Sequence, residues 1–313
     1  MDIFTHALIP YLLGRSLGRS DSEVAALVVG GIAPDLDVLI SWINYLHPTT
    51  LLLVHRGITH SLLFGILTAA IAIKAASLGC VKGRLGRSMP RLTTTAVAWA
   101  SLGVLIHLVL DMLTTRGVPL LYPLDSTRWS LELFFYSETL LTVASLAIIV
   151  SIYRLGCRRP LLLLTIVLLL LVVLGGIRME GKLEAKAAVP GSESFPRPGL
   201  LRWDLLLDRG SAWEVYAFSL RGDPESRGLY PKLCVTSSGP GLNEALFAAE
   251  GLASVRTLRW RAYAIAANAT WEDGAWQIEY YDPLVKADLL NAPPLLRRLA
   301  RGRLNLSVSV KDG

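Results

Sequence analysis

The order of apolar and polar positions divides the chain in two. Up to Ile177 the apolar residues gather into long runs; beyond it they alternate with polar ones. The clearest run, residues 160–177 (PLLLLTIVLLLLVVLGGI), carries no charge. At about 1.5 Å per helical residue it nearly crosses the hydrocarbon core of a bilayer. Residues 92–113 are interrupted only by His107 and Asp111, residues 59–79 carry Lys74 near one end, and 138–153 form a further candidate. The run 24–45 is broken by Gly30-Gly31 and by Pro34-Asp35-Leu36-Asp37, and 3–13 is a short, shallow first helix. This pattern predicts an α-helical polytopic membrane domain of about six membrane segments over residues 1–177.

Residues 178–200 read as a linker, rich in Pro, Gly and Ser from 185 onward. The remainder, 201–313, predicts a small, mostly antiparallel soluble α+β domain. Strands are expected at 212–220, 232–236, 258–270 and 275–281, and a helix at 242–252. The last two strands flank Trp271-Glu272-Asp273-Gly274, a hairpin signal.

Composition supports the membrane assignment: 52% of residues are hydrophobic and mean hydropathy is +0.47. The net charge of +6 is not read as nucleic-acid binding, because the basic residues of the first half cluster between apolar segments. Lys82, Arg84, Arg87 and Arg91 form one cluster; Arg154, Arg158 and Arg159 form another. Both loops are expected in the cytoplasm, with the shorter 15–23 loop. Alternation then puts the N-terminus, the 46–58 and 114–136 loops and everything after Ile177 on the outer side. Arg178, Lys182 and Lys186 run against that orientation, offset by Glu180 and Glu184. The first residues lack the basic start and cleavage site of a signal peptide, so the N-terminal helix is expected to be retained. Cys80, Cys157 and Cys234 form no CxxC pair and read as incidental thiols. The sequons at Asn268 and Asn305 fit an external domain but carry little weight.

All five histidines precede residue 108, and four sit in compact motifs with aspartates or glycine turns. These are Thr5-His6, Pro34-Asp35-Leu36-Asp37, the run His55-Arg56-Gly57-Ile58-Thr59-His60-Ser61, and His107 four residues before Asp111. His47 belongs to none and reads as a loop residue. A spacing of four puts His107 and Asp111 on one helix face. A proline-broken helix lets Asp35 and Asp37 turn to one cavity. With the orientation above, seven candidate ligands meet at one depth on the outer side: His6, Asp35, Asp37, His55, His60, His107 and Asp111. Ionisable groups are expensive inside a bilayer, so such a cluster points to function. Imidazoles mixed with carboxylates favour Zn, Mn or Fe over Mg or Ca, and the set is large enough for one or two divalent ions. Asp37 or Asp111 could act as general base, and Arg56 could steady a leaving group, with Arg116 a second phosphate clamp.

These motifs resemble the YdjM-like, inner-membrane-bound, metal-dependent hydrolase family. The resemblance rests on Thr5-His6, Gly31 through Asp37, His55 through Ser61, His107 through Gly117, and Tyr122-Pro123. Residues 198–216 with Trp203, and 271–282, also resemble the longer, YfhP-type members. The resemblance implies an inner-membrane location and the same seven metal residues. Together with the residues it leads to the expectation of a hydrolase acting on a phosphoester or ester, lipid-linked by preference, at the outer membrane face. The competing expectations are a non-catalytic scaffold stapled by metal, and haem-based electron transfer, against which the interleaved aspartates count.

Overall fold

A computed structural model describes residues 1–40, 43, 55–78, 90–290 and 305–311. His47, Cys80 and the basic residues Lys82, Arg84 and Arg87 lie outside the described residues. The chain forms two compact units. The first holds the described residues up to Met179 together with Pro196–Leu200; the second holds Glu180–Phe195 and the described residues from Leu201 on.

In the first unit, α1 (Ile3–Ser16) starts at Asp2, whose carboxylate caps the amide of Thr5. Helix α2 (Asp21–Ile32) starts in a full capping box between Ser20 and Glu23. It gives way to a 3₁₀ segment, Ala33–Leu39, where Pro34 removes an amide donor and carries Asp35 and Asp37 off the helical path. A 3₁₀ turn, Ile58–His60, precedes α3 (Leu62–Ala76), which Ser61 caps. Helices α4 (Thr94–Met112), α5 (Thr139–Leu155) and α6 (Pro160–Ala188) follow.

These lengths correct the expected six membrane segments. Among the described residues only α4 and α6 are long and apolar enough to cross a membrane. Helices α1, α2, α3 and α5 have 14, 12, 15 and 17 residues. At about 1.5 Å each they reach roughly 18–26 Å, short of a hydrocarbon core of about 30 Å. The apolar runs overstated the helices because they included residues folded as 3₁₀ turns: Thr59 and His60 lie before the α3 cap, and Pro34 to Leu39 beyond α2. In the other direction, α6 continues through Arg178 to Ala188, residues read from sequence as linker.

Helices α2 and α4 touch backbone to backbone. A Cβ added at Gly30 would collide with the Ala100 carbonyl, one at Gly103 with the Leu27 carbonyl, and one at Gly31 with the His6 carbonyl of α1. Small residues at helical spacing permit this approach, as in membrane helix pairs generally. The Trp99 indole donates to Glu23 across the same contact (2.9 Å).

The second unit contains two four-stranded sheets, β1-β2-β3-β4 and β5-β6-β7-β8. The strands are β1 (Glu193–Pro196), β2 (Arg202–Asp208), β3 (Ala212–Ser219), β4 (Glu225–Pro231), β5 (Leu233–Val235), β6 (Ala266–Glu272), β7 (Ala275–Tyr281) and β8 (Asn305–Lys311). Among the pairings resolved strand by strand, β5 with β6 is parallel and the rest are antiparallel. The β6–β7 hairpin turns at Asp273 and Gly274, both with positive φ (52° and 74°), as a type I′ turn requires. Helices α7 (Leu242–Glu250), α8 (Ala253–Arg261) and α9 (Pro283–Leu290) belong to the same unit. Residues 258–261, expected to open a strand, are the end of α8. One core packs Trp203, Leu205 and Phe218 against Ala185 and Val189 at the end of α6; another surrounds Trp276, Ile278 and Tyr280.

Candidate metal centre

The glycine contact between α2 and α4 sets the depth of the site. One turn beyond Gly103, His107 reaches back so that its Nδ1–H donates to the Gly31 carbonyl at 2.7 Å. That bond fixes the tautomer and leaves the Nε2 lone pair pointing away from α2. Nε2 is buried and has no hydrogen-bond partner among the described residues. It lies 3.7 Å from Asp35 Oδ1 and 3.6 Å from Asp111 Oδ2. Asp111 Oδ2 is likewise buried without a hydrogen bond. His60 closes the ring, its Nε2 3.2 Å from Asp35 Oδ1 and 3.5 Å from Asp111 Oδ2.

Two imidazole nitrogens and two carboxylate oxygens thus alternate around one point. Two ligands about 2.1 Å from an ion, at a near-tetrahedral angle, stand about 3.4 Å apart. The four spacings bracket that value, and two of the four atoms are otherwise orphaned, so these residues fit a transition-metal ion. His60, His107 and Asp111 are fully buried, while the Asp35 side chain is 14% exposed. Burial pushes the Asp35 carboxyl up, but the His60 hydrogen bond opposes it, and the carboxyl lies well below the usual carboxylate range.

The other three candidate residues surround this ring. His6 stacks on His107, with ring centroids 3.8 Å apart, and its Nε2–H donates to Asp111 Oδ1 at 3.2 Å. The Met1 amine contacts the same oxygen. Asp37 accepts from His55 Nδ1–H on Oδ1 (2.8 Å), and from the Thr59 hydroxyl (2.8 Å) and the Arg56 amide (3.2 Å) on Oδ2. Burial acts to raise the Asp37 carboxyl; the hydrogen bonds with His55 and His60 hold it well below the usual range. Asp37, His55 and His60 also offer atoms close enough together to hold an ion. His55 is the most open of the seven, its side chain 37% exposed.

Arg56, expected from sequence to steady a leaving group, lies beside Asp111. Its guanidinium is buried and donates to the Thr114 hydroxyl (2.6 Å), the Thr115 carbonyl (3.1 Å) and Asp111 Oδ1 (3.0 Å), with Tyr136 stacked 5.1 Å away. It holds Asp111, a carboxylate of the ring. Its backbone is in the left-handed region (φ 61°), which lets its amide serve Asp37 while its side chain serves Asp111. Arg116 also has a positive φ (64°), and its amide donates to Glu132 at 3.0 Å. Sequence reasoning missed Thr59, Thr114 and Arg128. The last donates to the carbonyls of Arg56, Arg116 and Gly117 and so ties the two arginine loops together. Thr59 had a signal, since it lies beside His60; Arg128 had none.

The family model described as YdjM inner membrane protein matches residues 1–182, more than half of the chain and all seven candidate residues. The chain belongs to the YdjM inner membrane protein family. Searches of curated proteins and of solved structures return no match. For this YdjM-family protein, the family establishes an inner-membrane protein, and the buried His/Asp cluster provides a place where a metal ion could be held.

Proposed function

We propose that this protein is a membrane-bound, metal-dependent hydrolase acting on a phosphoester or ester, with a lipid-linked substrate favoured by its membrane setting. The observation that carries the proposal is the alternating ring of Asp35, His60, Asp111 and His107, with its two orphaned buried atoms. A divalent ion held there would supply Lewis acidity and lower the pKa of water.

The protein's own residues divide the remaining work. Gly31 and Thr59 orient the two ligand imidazoles, and Arg56 and His6 orient Asp111. Asp35, the most open of the four, marks the side from which substrate enters. The His55–Asp37 pair has the arrangement of a proton acceptor oriented by a carboxylate, and its exposure lets it exchange a proton with solvent or substrate. The basic cluster Lys82–Arg91 ahead of α4 supports a cytoplasmic start for that span, and hence an extracytoplasmic site at its His107–Asp111 end.

One observation favours a second reading, a metal-stapled scaffold. Four protein ligands saturate a tetrahedral ion, and closed sites of that kind are structural. A five- or six-coordinate ion such as Mn or Fe keeps positions open. The test is turnover of phosphomonoester, phosphodiester and carboxylic-ester substrates by detergent-purified protein loaded with Mn, Fe or Zn. The hydrolase reading expects metal-dependent turnover abolished by Asp35→Asn in a folded protein. A metal-loaded protein that turns over none of them, and whose Tm falls on chelation, supports the scaffold.

A further inference from the structure

We infer that Asp37 and Thr59 are positioning residues for His60, and that the centre takes one ion. The inference rests on the metal-dependent reading above and deepens it. The seven candidate residues otherwise leave open a second ion bound by Asp37, His55 and His60.

The deciding residue is His60, common to both groups. A neutral imidazole has one lone pair and one N–H. The Thr59 hydroxyl donates to Asp37 Oδ2 at 2.8 Å, so its oxygen is free to accept. His60 Nδ1 lies 3.1 Å from that oxygen and 3.4 Å from Asp37 Oδ2. Without a cation in the ring, His60 Nε2–H donates to Asp35 Oδ1 at 3.2 Å; with one there, that nitrogen gives its lone pair to the ion, and the proton left on His60 is the one on Nδ1, pointed at Thr59 and Asp37. His107 repeats the arrangement with the Gly31 carbonyl as its anchor. Both ligand imidazoles are thus held by an Nδ1–H bond to a fixed acceptor, and both present Nε2 to the same two carboxylates.

A second ion at Asp37 would have to undo this. It would need His60 to lose its remaining proton while Nε2 is already engaged. It would also displace donors from Asp37, whose side chain is 1% exposed and already accepts from His55, Thr59 and the Arg56 amide. The carboxylate–histidine–metal arrangement accounts for every one of these bonds without a second ion.

The experiment titrates Mn²⁺ and Zn²⁺ separately into full-length, detergent-purified protein against a competing chelator. It reads stoichiometry and Kd for wild type, Asp37→Asn, Thr59→Val, Thr59→Ser and Asp35→Asn, with the metal-free Tm of each. Wild type should bind one ion per chain. Asp37→Asn and Thr59→Val should still bind one at saturation, about 10- to 100-fold more weakly. Thr59→Ser, which keeps the hydroxyl, should restore affinity, and Asp35→Asn should lose far more. The metal-free Tm separates lost positioning from lost folding, because the Thr59→Val and Thr59→Ser difference must appear in Kd. Two ions in wild type with one lost in Asp37→Asn would make Asp37 a ligand and overturn the inference alone. Unchanged Kd in both Asp37→Asn and Thr59→Val would also overturn it alone. A wild-type chain that binds neither metal would overturn the metal-dependent reading and this inference together.

Discussion

Asp111 shows how a buried carboxylate can be poised for a cation. Its Oδ1 accepts from Arg56 and His6 and contacts the Met1 amine, whereas Oδ2 accepts no hydrogen bond among the described residues and faces two imidazole nitrogens. Removing one partner of a buried ion pair leaves an uncompensated charge, at a cost of about 3–5 kcal/mol. Arg56→Met should therefore lower the Tm in detergent sharply. Arg56→Lys should recover little, because one ammonium cannot reach Asp111, Thr114 and Thr115 together. A Tm for Arg56→Met equal to wild type would contradict this role. The residue types of the site were legible in sequence, since each motif pairs a histidine or aspartate with a turn or a helical repeat. Their division of labour was not. Arg56 reads as a phosphate clamp until its partners are known, and those lie 55 to 59 positions away.

Among the helices, the decisive contact is the glycine face between α2 and α4. In sequence, Gly30-Gly31 reads as a break in an apolar run. In the fold the helix passes through both and ends at Ile32, and the glycines serve close approach to Ala100 and to α1. Apolar run length carries no information about where a helix yields to a 3₁₀ turn, which is why six spans were expected and two qualify among the described residues. Gly30→Val and Gly103→Leu should each force the helices apart. Overpacking costs about 1–3 kcal/mol, and here the clash is with backbone, which cannot rotate away. Both variants should also weaken metal binding by displacing His107 from Gly31. Leu105→Ala, on an exposed part of α4, is the control and should change neither Tm nor metal content. Equal behaviour of Gly103→Leu and Leu105→Ala would contradict the packing argument.

For the molecule as a whole, the boundary between units falls within α6, between Met179 and Glu180. The end of that helix belongs to the second core, where Ala185 and Val189 cover Trp203 and Gly181 leaves room for its indole. A fragment of residues 180–313 should fold alone, with a cooperative melt by circular dichroism. One beginning at 201 should melt lower or not fold. Equal stability of the two would show that the helix end is dispensable. The hairpin at Asp273-Gly274 was legible because its turn chemistry is local. Strands β2, β4 and β8 were not singled out: β2 buries four consecutive residues instead of alternating, β4 is largely exposed, and β8 pairs with β7 across an intervening helix.

The central claim, that Asp35, His60, His107 and Asp111 hold an ion, is tested most directly by elemental analysis of detergent-purified protein. Wild type and His47→Ala should carry one equivalent of a transition metal per chain. His107→Ala and Asp111→Ala should carry almost none while still inserting in the membrane. Equal metal content in wild type, His107→Ala and Asp111→Ala would contradict the account.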